Sequence, residues 1–349
     1  MDSILDVETS EELREFMTEP TYAVVELMRR LKGDIMGLAA SGKIGGELVE
    51  TLVRADEKAG VKGRRVMVAS NFDSKGGEAV RDRFEKVLGV DVYCGDLSDE
   101  NFLEGLPDAP NVFYMLGFKF GSSADPAKAT VINCIVPMNV GKKYSHSRIV
   151  DFSSGNPYAY TRPESGGSLE SDVLDPKGIY GWGIVCRETA FNLSAHGHRE
   201  QRVCHYRLMY SQHLAYGVLV DIAKMVRDGE EISLEMPCVN LLSQRDAIDR
   251  AIRALDLCTN PPTILNVAGP IVSVREIATK IGRFMNRTPR FFGEAPDTAL
   301  VANDGFCVER FGPYRDSVDE MIRAAANWVM KGGEDWELPT MFAKVGHVY

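Results

Sequence analysis

Short apolar runs punctuate the first two hundred residues at a regular beat: Ile35 to Ala39, Val66 to Ala69, Val90 to Tyr93, Val112 to Leu116 and Ile149 to Phe152. The stretches between them are mostly helical in pattern. Runs of four or five apolar residues read as buried strands, and strands that alternate with helices build a parallel sheet covered on both faces. The run "VCHYRL", Val203 to Leu208, predicts a sixth strand. Ahead of the first, Thr9 with Glu12 has capping-box form, and Tyr22, Val25, Met28 and Leu31 recur at helical spacing before Gly33.

Past about Ser211 the rhythm changes to longer helices and irregular loops. Ser273 with Glu276 and Ser317 with Glu320 again have capping-box form, the second before the helical spacing of Met321, Ala324, Ala325 and Trp328; Gly332 and Gly333 end that helix. There is no internal repeat and no low-complexity linker. The expected organisation is a helical extension over residues 1–33, a doubly wound parallel-sheet domain over 34–215, and a smaller domain over 216–349 with some return to the first.

The 349 residues suffice for this. A net charge of −10 and a pI near 5.3, with Lys and Arg scattered, leave no basic footprint and argue against nucleic acid as a partner. The start, "MDSILDVETSEELREF", has acids where a secretory signal carries bases, and no apolar run reaches membrane-spanning length, so a cytoplasmic protein with no membrane partner is expected. Seven cysteines without a CxxC pair predict reduced, mostly buried thiols. The pair His196 and His198 has no Cys or carboxylate at metal-site spacing, so no metal site is expected.

The first strand runs into "GLAASGKIGGELV", Gly37 to Val49. A strand, a small-residue turn and a helix N-terminus form an anion site, where free amides and the helix dipole face a phosphate. Gly37, Gly42 and Lys43 satisfy part of a P-loop, but Ile44 stands where magnesium binding needs Ser or Thr. The other reading is a dinucleotide turn on Ala39, Gly42 and Gly45, with alanine in the place of the first glycine and Ser41, Lys43 and Ile44 inside the turn. Its context supports it. Asp96, in "GDLSD", ends the third strand where an acid would accept from an adenine amino group, and Leu97 would pack on the ring. Leu116 and Gly117 end the fourth strand, Asn133 lies in the next helix, Ser153 and Ser154 end the fifth strand, and Tyr180 opens the helix after it.

This ordered set resembles the extended short-chain dehydrogenase/reductase family, also described as NAD-dependent epimerases and dehydratases, over about Asp34 to Val329. It is most similar to a bacterial subgroup with a helical N-terminal extension, the run "IVDFSSGNPY" and a tail like "PTMFAKVGHVY". The resemblance implies a Rossmann domain binding NAD or NADP, a smaller C-terminal domain holding a sugar-like substrate, and a homodimer built through two helices per subunit. It also implies that Ser154 orients a substrate oxygen and Tyr180 exchanges its proton. The family lysine four residues after the tyrosine, which lowers the phenol pKa and holds the nicotinamide ribose, is here Ile184.

Without a nearby cation a phenol of pKa about 10 is ionised about one part in a thousand at pH 7, so proton donation survives the loss better than proton abstraction. Two cations stand as substitutes. Arg187, two turns along the same helical face, either reaches the ribose or substrate, though not the phenol, or makes a structural ion pair. Lys119, at the carboxyl edge of the sheet, either approaches the substrate from the other side or is a solvated loop charge. Gly155 and Asn156 occupy the places of the dehydratase Asp-Glu pair, so hydride transfer at a carbinol, as oxidoreduction or epimerisation, is expected rather than elimination.

At the end of the second strand Ser70 and Asn71 offer neither the acid that binds the ribose of NAD nor the arginine that binds the phosphate of NADP; with no arginine following the strand, NAD is favoured, and Lys75 is the nearest candidate for a phosphate. Asn156, Arg207 and Gln212 are the candidate substrate contacts beside Lys119 and Ser154, with Arg207 alternatively paired inside the domain interface. Two readings of other classes stand beside the enzyme: a dinucleotide-binding sensor or structural pseudoenzyme that lost turnover with the lysine, and a P-loop phosphotransferase.

Overall fold

The computed structural model describes residues 3–74, 76–338 and 340–343. Lys75, the sequence candidate for a phosphate, lies outside the described residues, as does the end of the tail. Two short helices come first, α1 (Ser10–Thr18) and α2 (Tyr22–Arg30). Thr9 and Glu12 close the expected capping box on α1, and the Thr21 hydroxyl caps α2.

Seven strands form one parallel sheet: β1 (Ile35–Leu38), β2 (Val66–Ser70), β3 (Asp91–Cys94), β4 (Asn111–Tyr114), β5 (Arg148–Ser154), β6 (Arg202–Leu208) and an edge strand, Thr263–Val267. Their order is edge strand, β6, β5, β4, β1, β2, β3. The winding reverses between β1 and β4, which opens a crevice at their carboxyl ends, the place where this architecture binds ligands. The six strands read from the sequence are present. The edge strand was not read, because "TILNV" lies in a segment whose surroundings are helical. β4 also ends earlier than expected: β1 stops at Leu38, and the Met115 amide, donating to the Leu38 carbonyl at 3.0 Å, is the last to reach it. Leu116 and Gly117 therefore lie in the loop beyond.

One face of the sheet packs Leu38, Met67, Val112, Tyr114 and Ile149 against Val136, Val140, Phe191 and Ala195, which come from the helix Val136–Lys143 and the helix Gly178–Gly197. The other packs Ile35, Phe113, Val150 and Tyr206 against α2, the helix α3 (Gly45–Ala59) and the helix Gln244–Arg253. A separate apolar cluster joins the helices Val218–Asp228, Val274–Met285 and Val318–Met330 to Leu13, Phe16 and Met17 of α1. The N-terminal segment therefore straddles both clusters. Among the described residues no helix is long and apolar enough to cross a membrane. All seven cysteines are free thiols, but only Cys204, Cys258 and Cys307 are buried, which corrects the expectation of mostly buried thiols; Cys94 and Cys186 are exposed because they sit at a strand end and on an outer helix face.

Candidate active site

The turn after β1 is tight. Ala39 adopts a left-handed conformation, φ 61°, in the place where a dinucleotide turn usually has glycine. Its amide bonds the Ala69 carbonyl at 2.7 Å, and Gly45 donates to the Gly42 carbonyl at 3.1 Å. A Cβ on Gly45 would lie 2.4 Å from the Ala40 carbonyl oxygen, so only glycine lets α3 start this close to the strand. α3 follows Ile44 with no side chain capping its first turn, which leaves the helix N-terminus to an anion. Ser41 bonds Ser70 at 2.6 Å, tying the turn to the end of β2. Lys43 leaves the turn sideways: its ammonium donates to the Ser211 carbonyl at 2.8 Å and lies 4.4 Å from the centre of the Tyr216 ring. Burial pushes that amine down to about 7.

Along the crevice, Asn71 donates to Asp73 at 2.9 Å, which places a carboxylate next to the end of β2 that the sequence reading overlooked. Asp96 is exposed and accepts from the Ser98 amide and hydroxyl, both at 2.8 Å. Leu97 is buried in the sheet core with Met36, Leu38 and Met67. Asn133 reaches over the loop after β4, accepting from the Phe118 amide at 3.1 Å and donating to the Phe118 carbonyl at 3.0 Å. It holds Leu116 and Gly117 in place from behind.

At the end of β5, Ser154 donates to Asn156 Oδ1 at 2.8 Å and accepts from the Asn156 amide at 3.2 Å. Tyr180, in the first turn of the Gly178–Gly197 helix, is hydrogen-bonded to the same hydroxyl. Burial raises the Tyr180 pKa above that of a free phenol; Arg187 and the Ser154 hydrogen bond oppose the rise, and Asp151 adds to it. Ile184 is fully buried, so the lysine's place is filled by a core aliphatic. Lys119 comes to the site from the loop after β4, its Nζ 5.8 Å from the centre of the Tyr180 ring, and burial lowers its pKa to about 8. Lys119 is half-buried beside the Tyr180 ring.

Arg187 is 2% exposed. It donates to the Phe152 carbonyl at 2.8 Å and to Asn133 Oδ1 at 3.1 Å, so it makes no carboxylate ion pair through those bonds. Asn133, Arg187 and the Ser154–Tyr180 pair thus converge, although they come from three parts of the chain. Gly183 makes this possible, since a Cβ there would lie 3.0 Å from Asn133 Cβ.

Three sequence candidates point elsewhere. Arg207 donates through Nε and Nη2 to Glu188, at 2.8 and 2.6 Å, and through Nη1 to the Tyr158 hydroxyl at 2.7 Å. Its guanidinium is committed inside the fold, to partners that lie, like Arg207 itself, between residues 34 and 215. Ser153 donates to Glu188 Oε1 at 2.5 Å. Gln212 spans a turn, donating to the Tyr210 carbonyl and accepting from the Leu219 amide at 3.1 Å. These groups face inward because parallel-strand neighbours Ser153 and Arg207 share one face, over which Glu188 lies.

Sequence reasoning missed Glu188, Tyr158, Asp151 and His205. The available signal was a charged or polar residue breaking an apolar strand, Asp151 in "IVDFSS" and His205 in "VCHYRL". A cavity of about 1000 Å³ lies beside the turn, lined by Ser41, Gly42, Lys43, Arg83, Phe84 and Trp336 among others. Neither Ser154 nor Tyr180 lines it.

No protein-family model matches the chain, and no curated protein matches it. Solved structures do. A UDP-glucose 4-epimerase of Thermus thermophilus complexed with NAD superposes with a TM-score of 0.66 at 18% identity, over 84% of this chain and 98% of that one. A UDP-glucuronic acid 4-epimerase variant from Bacillus cereus gives 0.69 at 12%, over 85% and 99%. The Bordetella bronchiseptica enzyme WbmG, with NAD and UDP, gives 0.68 at 21%, over 87% and 97%. The chain has the α/β Rossmann-type fold of these structures. At these identities the likeness is one of fold.

Proposed function

We propose that the protein is an NAD-dependent epimerase or oxidoreductase that acts on a secondary alcohol of a sugar, sugar acid or nucleotide sugar. The observation that carries this reading is the hydrogen-bonded pair Ser154–Tyr180 at the carboxyl end of β5, in the crevice of a doubly wound sheet. The residues present fit a dinucleotide. The uncapped start of α3 and the side-chain-free Gly42 and Gly45 would take the pyrophosphate, Asn71 and Asp73 the adenosine ribose, Asp96 the adenine, and Leu116, Gly117 and Tyr180 the far half. A carboxylate held beside the end of β2 favours NAD over NADP, whose 2′-phosphate it would repel.

Bound NAD would supply the hydride acceptor. The chain's own part is the proton. Ser154 holds the carbinol oxygen; Tyr180, as the minor phenolate form, takes the carbinol proton as hydride leaves, and as the neutral phenol returns it to the oxygen when hydride comes back. Its raised pKa suits donation to a forming alkoxide. Elimination has no support: a side chain at position 155 would meet Met209 Sδ at 2.0 Å, and Asn156 is engaged with Ser154. Solved neighbours described as nucleotide-sugar 4-epimerases support epimerisation and a nucleotide sugar. A second copy is the expected cover for Val131, Ile135 and Met138 on one helix and Ile179, Trp182 and Leu193 on its neighbour, all exposed.

Calorimetric titration with NAD, NADP and magnesium ATP, followed by incubation with NAD and UDP-hexoses, tests this reading. Tight binding of NAD and a slow interconversion at one carbinol, lost by a factor of about 10² or more in Tyr180→Phe, is the expected result. NAD binding with no turnover, unchanged in Tyr180→Phe, would give the lead to a dinucleotide-binding sensor, the reading favoured by Ile184. Binding of ATP alone would overturn both.

A further inference from the structure

Tyr114, Asp151 and His205 stand side by side on β4, β5 and β6, register partners on one face of the sheet. All are buried, at 0%, 0% and 1% exposure. The Gly178–Gly197 helix crosses above them. From it Asn192 meets His205 Nε2 at 3.0 Å, while His205 Nδ1 meets Asp151 Oδ2 at 3.0 Å. Arg187, on the same helix, lies with its guanidinium carbon 5.4 Å from the centre of the Tyr114 ring.

Three polar atoms in this group have no hydrogen-bond partner among the described residues: Tyr114 Oη, Asp151 Oδ1 and Arg187 Nε. A buried donor or acceptor left unmade costs about 1–3 kcal/mol, so each of the three calls for a partner. A hydroxyl, a carboxylate oxygen and a guanidinium N–H form a complementary set for one small molecule that both donates and accepts. A water both donates and accepts and would serve such a set.

We propose that Arg187 is the fixed positive charge behind Tyr180, standing in for a lysine at position 184, and that a buried water shared with Asp151 and Tyr114 locks it there. The inference rests on the catalytic reading of Tyr180 given above. The helix places Arg187 seven residues after Tyr180, nearly two full turns, so both lie on one face and the long side chain leans back toward the tyrosine. The Phe152 carbonyl, Asn133 and the water then hold Nη1, Nη2 and Nε. An arginine keeps its proton in proteins, so it holds charge without relaying protons, and Asp151 meters that charge from below. Arg187 is in this sense a positioning residue. The groups facing Tyr180 and this cluster from every packed element are Tyr114 on β4, Lys119 on the following loop, Cys134 on the helical turn Val131–Ile135, Asp151 and Ser154 on β5, His205 on β6, and Arg187 and Glu188 on its own helix.

The test follows the phenol directly and needs no cofactor. The protein is labelled with 3-fluorotyrosine, more acidic than tyrosine, and the Tyr180 fluorine resonance is assigned by its loss in Tyr180→Phe. Its pH midpoint is then read in the wild type, Arg187→Met, Arg187→Lys and Asp151→Asn, with thermal melts confirming the fold. The expected result is a midpoint raised by about one unit or more in Arg187→Met, near wild type in Arg187→Lys, and lowered in Asp151→Asn. A folded Arg187→Met with an unchanged midpoint overturns the proposal; should that variant not fold, an unmoved midpoint in Asp151→Asn overturns it equally. A high-resolution crystal structure with no water between Tyr114 Oη, Asp151 Oδ1 and Arg187 Nε removes the lock. Failure to bind NAD would sink the enzyme reading and leave these midpoints in place, so the two outcomes are separable.

Discussion

Lys119 Nζ stands 5.8 Å from the centre of the Tyr180 ring, on a loop sixty residues away in sequence. Its pKa of about 8 means that this cation is present at neutral pH and fades above it. Lys119→Met is expected to slow turnover about tenfold at pH 7, the effect of about one pKa unit on the partner, and to differ little from wild type at pH 9.5. Lys119→Arg keeps its charge at both, so it matches the wild type at pH 7 and exceeds it at pH 9.5. Parallel pH–rate profiles decide the matter: an equal deficit of Lys119→Met at both pH values would mean that the side chain acts by shape alone.

Lys43 carries a stability prediction with a definite sign. Its amine titrates at about 7 in the folded protein and near 10.4 unfolded. Between those values the unfolded chain binds more protons, so the folded state gains stability as pH rises from about 7 toward about 10. Lys119, lowered to about 8, acts in the same direction. Thermal melts should show the midpoint climbing through this window, with a smaller climb in Lys43→Met. An identical slope in that variant would show that Lys43 is not the source.

Glu188→Gln leaves Arg207 buried without its counter-charge, which is expected to cost about 3–5 kcal/mol of unfolding free energy. Urea denaturation measures this. A variant as stable as wild type would reopen Arg207 as a substrate ligand.

Ala39→Gly relieves a left-handed backbone at the phosphate turn. The expected gain is about 1 kcal/mol, read as a higher urea midpoint with unchanged slope. A loss of stability would mean that the alanine methyl is needed where it packs on the neighbouring core.

Much of the fold was open to reading along the chain because its signals are local. The alternation of apolar runs, the capping pairs at Thr9 and Ser317, and the small-residue turn before α3 each depend on residues within a few positions of one another. The order Asp96, Leu116, Asn133, Ser154, Tyr180 was likewise visible, since strand ends in a doubly wound sheet fall on one edge. Arg207 and Gln212 are engaged within the fold: a residue after a strand faces the cleft or the interior according to what packs over it, and here they meet Glu188 and Leu219.

The sequence by itself determined a parallel α/β sheet, a small-residue turn before α3 with Ile44 in place of a hydroxyl residue, and an aliphatic residue, Ile184, four places after Tyr180. Only the tertiary structure brought other charged groups toward Tyr180. Lys119, Arg187, Asp151, His205 and Tyr114 are spread over nearly a hundred positions, and their convergence depends on the register of β4, β5 and β6 and on how closely Gly183 lets the helix approach. Such contacts leave no periodic trace, because each charge is satisfied by residues distant in the chain.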